Sequence, residues 1–253
     1  MEFTKRDPTA APGFFAVEAA GLNWLAEAGG VRIARVLSVS DHHITLERLQ
    51  PGRPTAADAR EFGRALAVTH AAGAPGWGAP PPGAGSAAYI GPLPQTNRIE
   101  PTWGIFYARH RVRPFADRAL AEGSLDAGGH SVITALCQRL ESGEFDDDRP
   151  PARIHGDLWS GNVITTAGGW SLIDPAAHGG HPITDLAMLA LFGLPQLEAV
   201  FEAYAETPPP GSAPLAPGWR DLIPLHQLHP LLVHAVLFGS GYGAQAVQAA
   251  RQF

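Results

Sequence analysis

The chain has 253 residues and is 45% apolar, ample for a substantial core in one large domain or two lobes. A formal net charge of −6 argues against a nucleic-acid binder, which would carry a basic surface. The single cysteine, Cys137, excludes a disulfide framework or a cysteine zinc site within one chain. No stretch approaches the ~20 apolar residues of a membrane span. The first residues lack the apolar core of a signal peptide, so a soluble cytoplasmic protein is expected.

In chain order, residues 1–7 read as the end of a strand carrying Lys5. Gly13 to Ala28 is a predicted helix, with Phe15, Leu22 and Leu25 recurring as its buried stripe. Glu18 falls on that apolar side, where a carboxylate is costly unless a cation meets it. Two readings stay open: an ion pair with Lys5, or a stripe-edge glutamate reaching solvent. Val31–Ser40 and His43–Leu49 are predicted strands joined at Asp41-His42, and Pro51-Gly52-Arg53-Pro54 reads as a hinge between a small lobe, 1–50, and a large one, 51–253. Thr55 with Asp58 opens a capping-box helix running to about Ala72, with Ala59, Phe62, Leu66 and Thr69 inward.

Residues 73–88 form a loop rich in Gly, Pro and Ala. Gly83 to Ala88 matches G-x-G-x-x-A but follows prolines rather than a strand, so it is not read as a dinucleotide fingerprint. Residues 89–98 are extended. Helices are predicted from Trp103 to about Ala121 and over His130–Glu141, and Cys137 lies in the buried pattern of the second. Arg109, Arg111 and Arg113 form a basic cluster, either a solvated face or an anion site. Glu144–Asp148 is an acidic loop whose aspartates are expected to be solvated. Thr184–Phe192, with Asp185 in its first turn, and Gln196–Ala205 are helical, and Pro208–Pro217 is a loop. Trp219–Phe238 is an apolar helical stretch interrupted at Pro224 and Pro230, whose His226, His229 and His234 read as core or surface groups.

The chemistry concentrates in residues 153–174. Asp157 precedes Asn162 by five residues, and Asp174 follows a hairpin signature in which Val163-Ile164 and Trp170–Ile173 flank Ala167-Gly168-Gly169. A hairpin makes Asn162 and Asp174 neighbours. An amide oxygen and a carboxylate beside a second carboxylate suit magnesium-dependent phosphoryl transfer: hard oxygens hold the cation and one carboxylate orients the attacking hydroxyl. The Asp157–Asn162 spacing is that of a kinase catalytic loop, but His155-Gly156-Asp157 replaces His-Arg-Asp and Asp174-Pro175-Ala176 replaces Asp-Phe-Gly, so a Ser/Thr/Tyr protein kinase is not expected.

His155-Gly-Asp-Leu-Trp-Ser-Gly-Asn162 and Ile173-Asp-Pro-Ala176 resemble the fructosamine kinase (ketosamine-3-kinase) family, relatives of the aminoglycoside and choline kinases. Ile90–Asn97, Trp103–Arg111, His181 with Asp185–Leu189, and Leu225–Tyr242 extend the resemblance over essentially the whole chain. It implies an α+β, two-lobed protein-kinase-like fold with a shortened small lobe and a mainly helical large one. It also implies ATP-dependent phosphorylation of the 3-hydroxyl of a small ketosamine or glycated amine. By motif, Asp157 is then the base, Asn162 and Asp174 bind Mg2+, Lys5 contacts the nucleotide phosphates and is held by Glu18, and Glu47-Arg48-Leu49 is the adenine hinge. Trp159 reads as a wall of the sugar site or as packing, and His155 as a shaper of the loop rather than a substrate contact. Only four residues precede Lys5, too few for the Gly-rich hairpin of the family. Either the start is set too late or part of the nucleotide roof is missing; the second case implies an exposed sheet edge and, as an alternative function, a nucleotide-binding protein lacking activity. A kinase of an aminoglycoside or choline-like alcohol is the other alternative.

Overall fold

The computed structural model describes residues 2–206 and 214–253. Strand β1 (Glu2–Arg6) and helix α1 (Phe14–Glu27) lead to β2 (Arg32–Ile33), β3 (Val36–Ser40) and β4 (His43–Glu47). β1, β4 and β3 form an antiparallel sheet in that order, with Lys5 opposite Ile44. β1 has no second strand partner among the described residues, and Phe3 on it is 45% exposed. Helix α1 turns Phe15, Leu22 and Leu25 inward as their spacing predicts, and Glu18 is buried with them.

Helix α2 (Ala56–Ala71) starts with the expected reciprocal cap: Asp58 N donates to Thr55 Oγ1 at 3.1 Å and Thr55 N to Asp58 Oδ2 at 3.2 Å. Residues 89–98 are more than extended. They complete a hairpin of β5 (Ala87–Ile90) and β6 (Leu93–Thr96), turned by Gly91 at φ 52. The helix from Trp103 is α3 (Trp103–Tyr107) and α4 (Arg113–Ala121), joined by a π-type turn at Ala108–Val112. Pro114 has no N–H to give His110 O, and that oxygen instead accepts from the Arg111 guanidinium at 2.9 Å. Helix α5 (Ala127–Glu141) begins earlier than predicted because Asp126 caps Gly129 N at 2.6 Å.

Strand β7 (Ala152–Ile154) leads into the His155–Asp157 loop, and β8 (Val163–Thr166) pairs with β9 (Gly169–Leu172) as the predicted hairpin. β10 (His178–Gly180) pairs with β7, followed by α6 (Pro182–Phe192), α7 (Leu197–Glu206), α8 (Ile223–His226), α9 (Leu228–Phe238) and α10 (Ser240–Ala250). The predicted strand Val31–Ser40 is two strands in different sheets. β2 lies parallel to β9, and Ala34 N donates to Leu172 O at 3.0 Å. Arg35 O then accepts from Glu47 N at 2.9 Å, which moves the chain to the β4 side. Pro224 and Pro230 fall in the first turns of α8 and α9, where a missing N–H is harmless, so they start helices rather than interrupt one. Pro208–Pro210 of the predicted loop lie outside the described residues.

One apolar cluster joins Phe15, Leu22 and Ile44 to Phe62, Leu66 and Leu172, so apolar packing runs unbroken past the proline segment at 51–54. A second gathers Phe106, Ile133, Leu140, Leu228 and Leu232, with Cys137 buried among them as a free thiol. The basic cluster divides: Arg109 lies on a solvated face as one reading expected, whereas Arg111 is buried. Arg109 and Arg113 both pair with Glu141, while buried Arg111 donates to Thr96 O at 2.8 Å and Asn97 Oδ1 at 2.5 Å. The acidic loop is also not simply solvated. Asp146 Oδ1 accepts from Gly104 N at 2.7 Å at the start of α3, and Asp147 Oδ2 meets Arg149 Nε at 3.1 Å and His181 Nε2 at 3.4 Å.

Candidate active site

Buried β7 delivers the chain into His155-Gly156-Asp157. Gly156 has φ +79, and a Cβ there would lie 2.3 Å from Ala176 O, so both backbone sign and space demand glycine. Below this loop, the fully buried Asp185 accepts from His155 N at 2.7 Å, Gly156 N at 2.9 Å and His70 Nε2 at 3.1 Å. Burial opposes ionisation of Asp185, but these donors outweigh it and hold the carboxyl below its usual range. Asp185 was legible only as a first-turn residue; a carboxylate opening an otherwise apolar helix was the signal that could have marked it.

His155 is buried inside the loop. Its Nε2 donates to Ile173 O at 2.9 Å and its Nδ1 accepts from Asp157 N at 3.3 Å, which assigns one neutral tautomer. Burial lowers its proton affinity in the same sense. Its position fits the loop-shaping reading. Asp157 follows, with Oδ2 accepting from Asn162 Nδ2 at 3.1 Å. Burial, helped by the charges of Asp174 and Asp185 and opposed by the Asn162 hydrogen bond, raises the Asp157 carboxyl to about 7.

The hairpin register pairs Val163 with Leu172, and Ile173 N donates to Asn162 O at 3.2 Å. Asn162 Nδ2 reaches Asp157 O at 2.8 Å and Asp174 O at 3.3 Å, so one amide ties both acidic residues. Asp174 itself adopts a left-handed backbone, φ 55. Trp159, 40% exposed, lies over Gly161, where a Cβ would be 2.2 Å from the indole.

Lys5 Nζ reaches across from β1 to Glu18 Oε1 at 2.9 Å and Asp174 Oδ1 at 2.6 Å. The open choice for Glu18 is thus resolved as a buried ion pair. Burial disfavours both charges. Two carboxylates nonetheless hold Lys5 above its usual value, whereas Glu18, with one cation and Asp174 nearby, is pushed up by its burial. The side chains of the expected hinge segment are engaged locally: Glu47 with Arg32 Nη2 at 3.2 Å and Arg35 N at 3.2 Å, and Arg48 Nε with Glu2 O at 3.1 Å.

Two cavities meet at Lys5 and Asp174. One of about 300 Å3 is also lined by Glu18, Asp157, Trp159 and Asn162. The other, about 250 Å3, is lined by Phe3, Leu46, Glu47, Arg48, Leu49 and Ile173. Among the described residues no group of three or more His, Cys, Asp or Glu is arranged to hold a metal alone. Asn162 and Asp174 still fit magnesium, which takes one or two protein oxygens and completes its shell with phosphates and water. Asn162 uses only its nitrogen in the loop, leaving its amide oxygen for a cation. No helix among the described residues is long and apolar enough to cross a membrane.

A sequence profile of fructosamine kinase matches residues 2–253. "Probable ketoamine kinase" of Enterococcus faecium is 30% identical over 99% of this chain and 87% of its own length. Mouse ketosamine-3-kinase is 34% identical over 64% of this chain and 50% of its own. A candidate fructosamine-3-kinase from Thermobifida fusca, solved by crystallography, superposes with TM-score 0.89 at 46% identity, covering 99% of this chain and 84% of that one. A choline/ethanolamine kinase family protein from Mesorhizobium loti, TM-score 0.57 at 17% identity over 100% of this chain and 87% of its own, shares the fold. The architecture is therefore the two-lobed α+β fold of protein-kinase-like phosphotransferases, and the chain belongs to the fructosamine kinase family.

Proposed function

We propose that the protein transfers the γ-phosphoryl group of ATP to the 3-hydroxyl of a ketosamine. The observation that carries this reading is the convergence of Asp157, Asn162, Asp174 and the Lys5–Glu18 pair between two cavities that share Lys5 and Asp174. In this reading residues 1–50 supply the lysine and the hinge, and 51–253 supply the base and the metal ligands. The cavity at Glu47-Arg48-Leu49 takes adenine, which sets the phosphates at Lys5; the larger one takes the acceptor, with Trp159 as a wall for the sugar. Magnesium, held by Asn162 and Asp174, neutralises phosphate charge when bound.

The acceptor oxygen attacks phosphorus, the bond from phosphorus to the β-bridging oxygen breaks, and ADP leaves with that electron pair. Asp157 takes the hydroxyl proton. A carboxyl raised to about 7 is a better proton acceptor than an ordinary one while still ionised in good part near neutrality. Lys5 meets the phosphate charge, and Glu18 keeps the ammonium pointed at it. Positioning and charge neutralisation carry most of the rate, since phosphoryl transfer leaves little covalent work for the protein.

The test is ADP release with Mg-ATP and a small fructosamine or ribulosamine, together with 31P NMR of the product. Asp157→Asn is expected to lose at least ~10²-fold in kcat while Mg-ATP binding by calorimetry stays within a few-fold. A chain that binds Mg-ATP yet phosphorylates neither ketosamine contradicts the substrate assignment. Equal loss of nucleotide binding in Asp157→Asn contradicts the base assignment.

A further inference from the structure

The acceptor cavity has a charged floor and an aromatic outer wall. Lys5 is the only Lys or Arg lining it among the described residues, and two carboxylates already share its ammonium. His234 also lines it, but its Nδ1 is committed to Pro230 O at 2.8 Å, and burial lowers its proton affinity. A substrate carboxylate entering this cavity meets Glu18, Asp157 and Asp174 and no unshared cation. The wall opposite is different in kind. Phe238 is the last residue of α9, and Gly239 at φ +100 turns the chain into α10, whose Tyr242 ring approaches Phe238 at 6.2 Å but leaves most of it uncovered. It is 68% exposed and lines the cavity together with Val233 and Leu237. Its ring is 5.3 Å from His234, which is 4.6 Å from Phe192, itself 6.2 Å from Trp159. An aromatic arc thus runs from the catalytic loop to the rim.

Resting on the ketosamine reading, we propose that this arc, ending at Phe238, is the subsite for the amine-side substituent of the substrate, and that it selects an uncharged apolar or aromatic substituent. The secondary amine joining sugar and substituent is protonated at neutral pH. Set against the face of Trp159, that cation meets a π face in a cavity whose charged lining is mostly carboxylate. The substituent beyond it lies against Phe238, where an apolar group covers the exposed ring and an α-carboxylate finds no partner. Adducts of apolar amines are therefore better substrates than adducts of free amino acids carrying the same sugar.

The experiment compares the fructose adducts of benzylamine and glycine by initial rates at saturating Mg-ATP. The expected result is a KM about tenfold lower for the benzylamine adduct, equivalent to ~1.4 kcal/mol, with similar kcat. Phe238→Ala raises KM for the benzylamine adduct about tenfold, moves kcat and the glycine-adduct KM less than about twofold, and Phe238→Leu recovers part of the loss. A glycine adduct used as well as the benzylamine adduct, or a Phe238→Ala effect equal on both, overturns the subsite while leaving the ketosamine reading intact. Turnover of neither adduct by the unaltered protein overturns that reading and the subsite together.

Discussion

Asp185→Asn isolates a buried side chain that supports the His155–Asp157 loop from beneath. Asp185 Oδ2 accepts from His155 N and His70 Nε2, and Oδ1 from Gly156 N. An amide can match only one of these two sides. With its oxygen in the Oδ2 position, its NH2 faces the Gly156 N–H and leaves opposed, buried donors, which costs about 1–3 kcal/mol. The other orientation strands two donors instead of one. Loss of the charge also weakens the bonds that survive, by roughly 0.5–1 kcal/mol each. A total near ~3 kcal/mol follows, a drop of roughly 6–12 °C in melting temperature for a chain of this size. The loop that carries Asp157 then shifts, and a displacement of ~1 Å at the reacting groups lowers kcat by about 10²-fold, while the nucleotide KM changes little. Urea unfolding followed by tryptophan fluorescence, and ADP release on the folded variant, measure the two effects. A variant with an unchanged urea midpoint and unchanged kcat would refute the claim that Asp185 holds the loop.

Gly161→Ala places a Cβ 2.2–2.6 Å from ring atoms of Trp159 and must push the indole off its seat. The expected outcome is an acceptor KM raised about five- to tenfold, ~1–1.4 kcal/mol, with little change in melting temperature; an unchanged acceptor KM would show that the ring's position is immaterial. Acid stability follows from Asp185 and Asp147, whose carboxyls lie below their ordinary range. Burial works against both, and His70 for the first, His181 and Arg149 for the second, prevail. The folded values being depressed, their contribution is complete above the unfolded value of ~3.9 and is lost as pH falls through the folded values. Urea midpoints at pH 7, 5 and 3 are expected to fall already between pH 7 and 5, because burial lowers the proton affinity of His155, His178, His226 and His229 while the unfolded chain protonates them near ~6.5. A further drop below about pH 4 follows as the two carboxyls protonate. That drop is shallower in Asp185→Asn, and an equally steep drop in the variant contradicts the assignment.

The site hairpin was readable because local chemistry settles it: Ala167-Gly168 makes the turn, Gly169 at φ 101 closes it against Thr166, and a two-residue side-chain period then fixes which ends meet. The Lys5–Glu18 pair could be suspected but not decided. The partners sit on a strand and a helix, and only tertiary packing sets their 2.9 Å separation. Three misreadings share that origin. Val31–Ser40 has unbroken β propensity, yet Ala34 and Arg35 bond in opposite directions. Arg111 reads as surface by type, yet its guanidinium sits over Phe106 at 4.6 Å and feeds the β5–β6 hairpin. Helix α10 went unseen behind Gly241 and Gly243. The second of these glycines admits Ser124 O to 2.0 Å from where a Cβ would be, so a poor helix former was retained for contact with the loop before α5.

The bond between Lys5 and Asp174 has a thermodynamic consequence for the proposed function. Lys5 binds Asp174 at 2.6 Å in addition to Glu18, so the residue that would meet phosphate already engages the residue that would meet the cation. A phosphate that draws Lys5 away leaves Asp174 with less compensation, which raises its affinity for a cation. A cation that draws Asp174 away leaves the ammonium more available to phosphate. Each ligand alone works against the internal pair, whereas the two together replace it with two new pairs. The linkage is reciprocal, each ligand strengthening the other by the same factor. The protein would thereby favour the metal–nucleotide chelate over either free nucleotide or free cation.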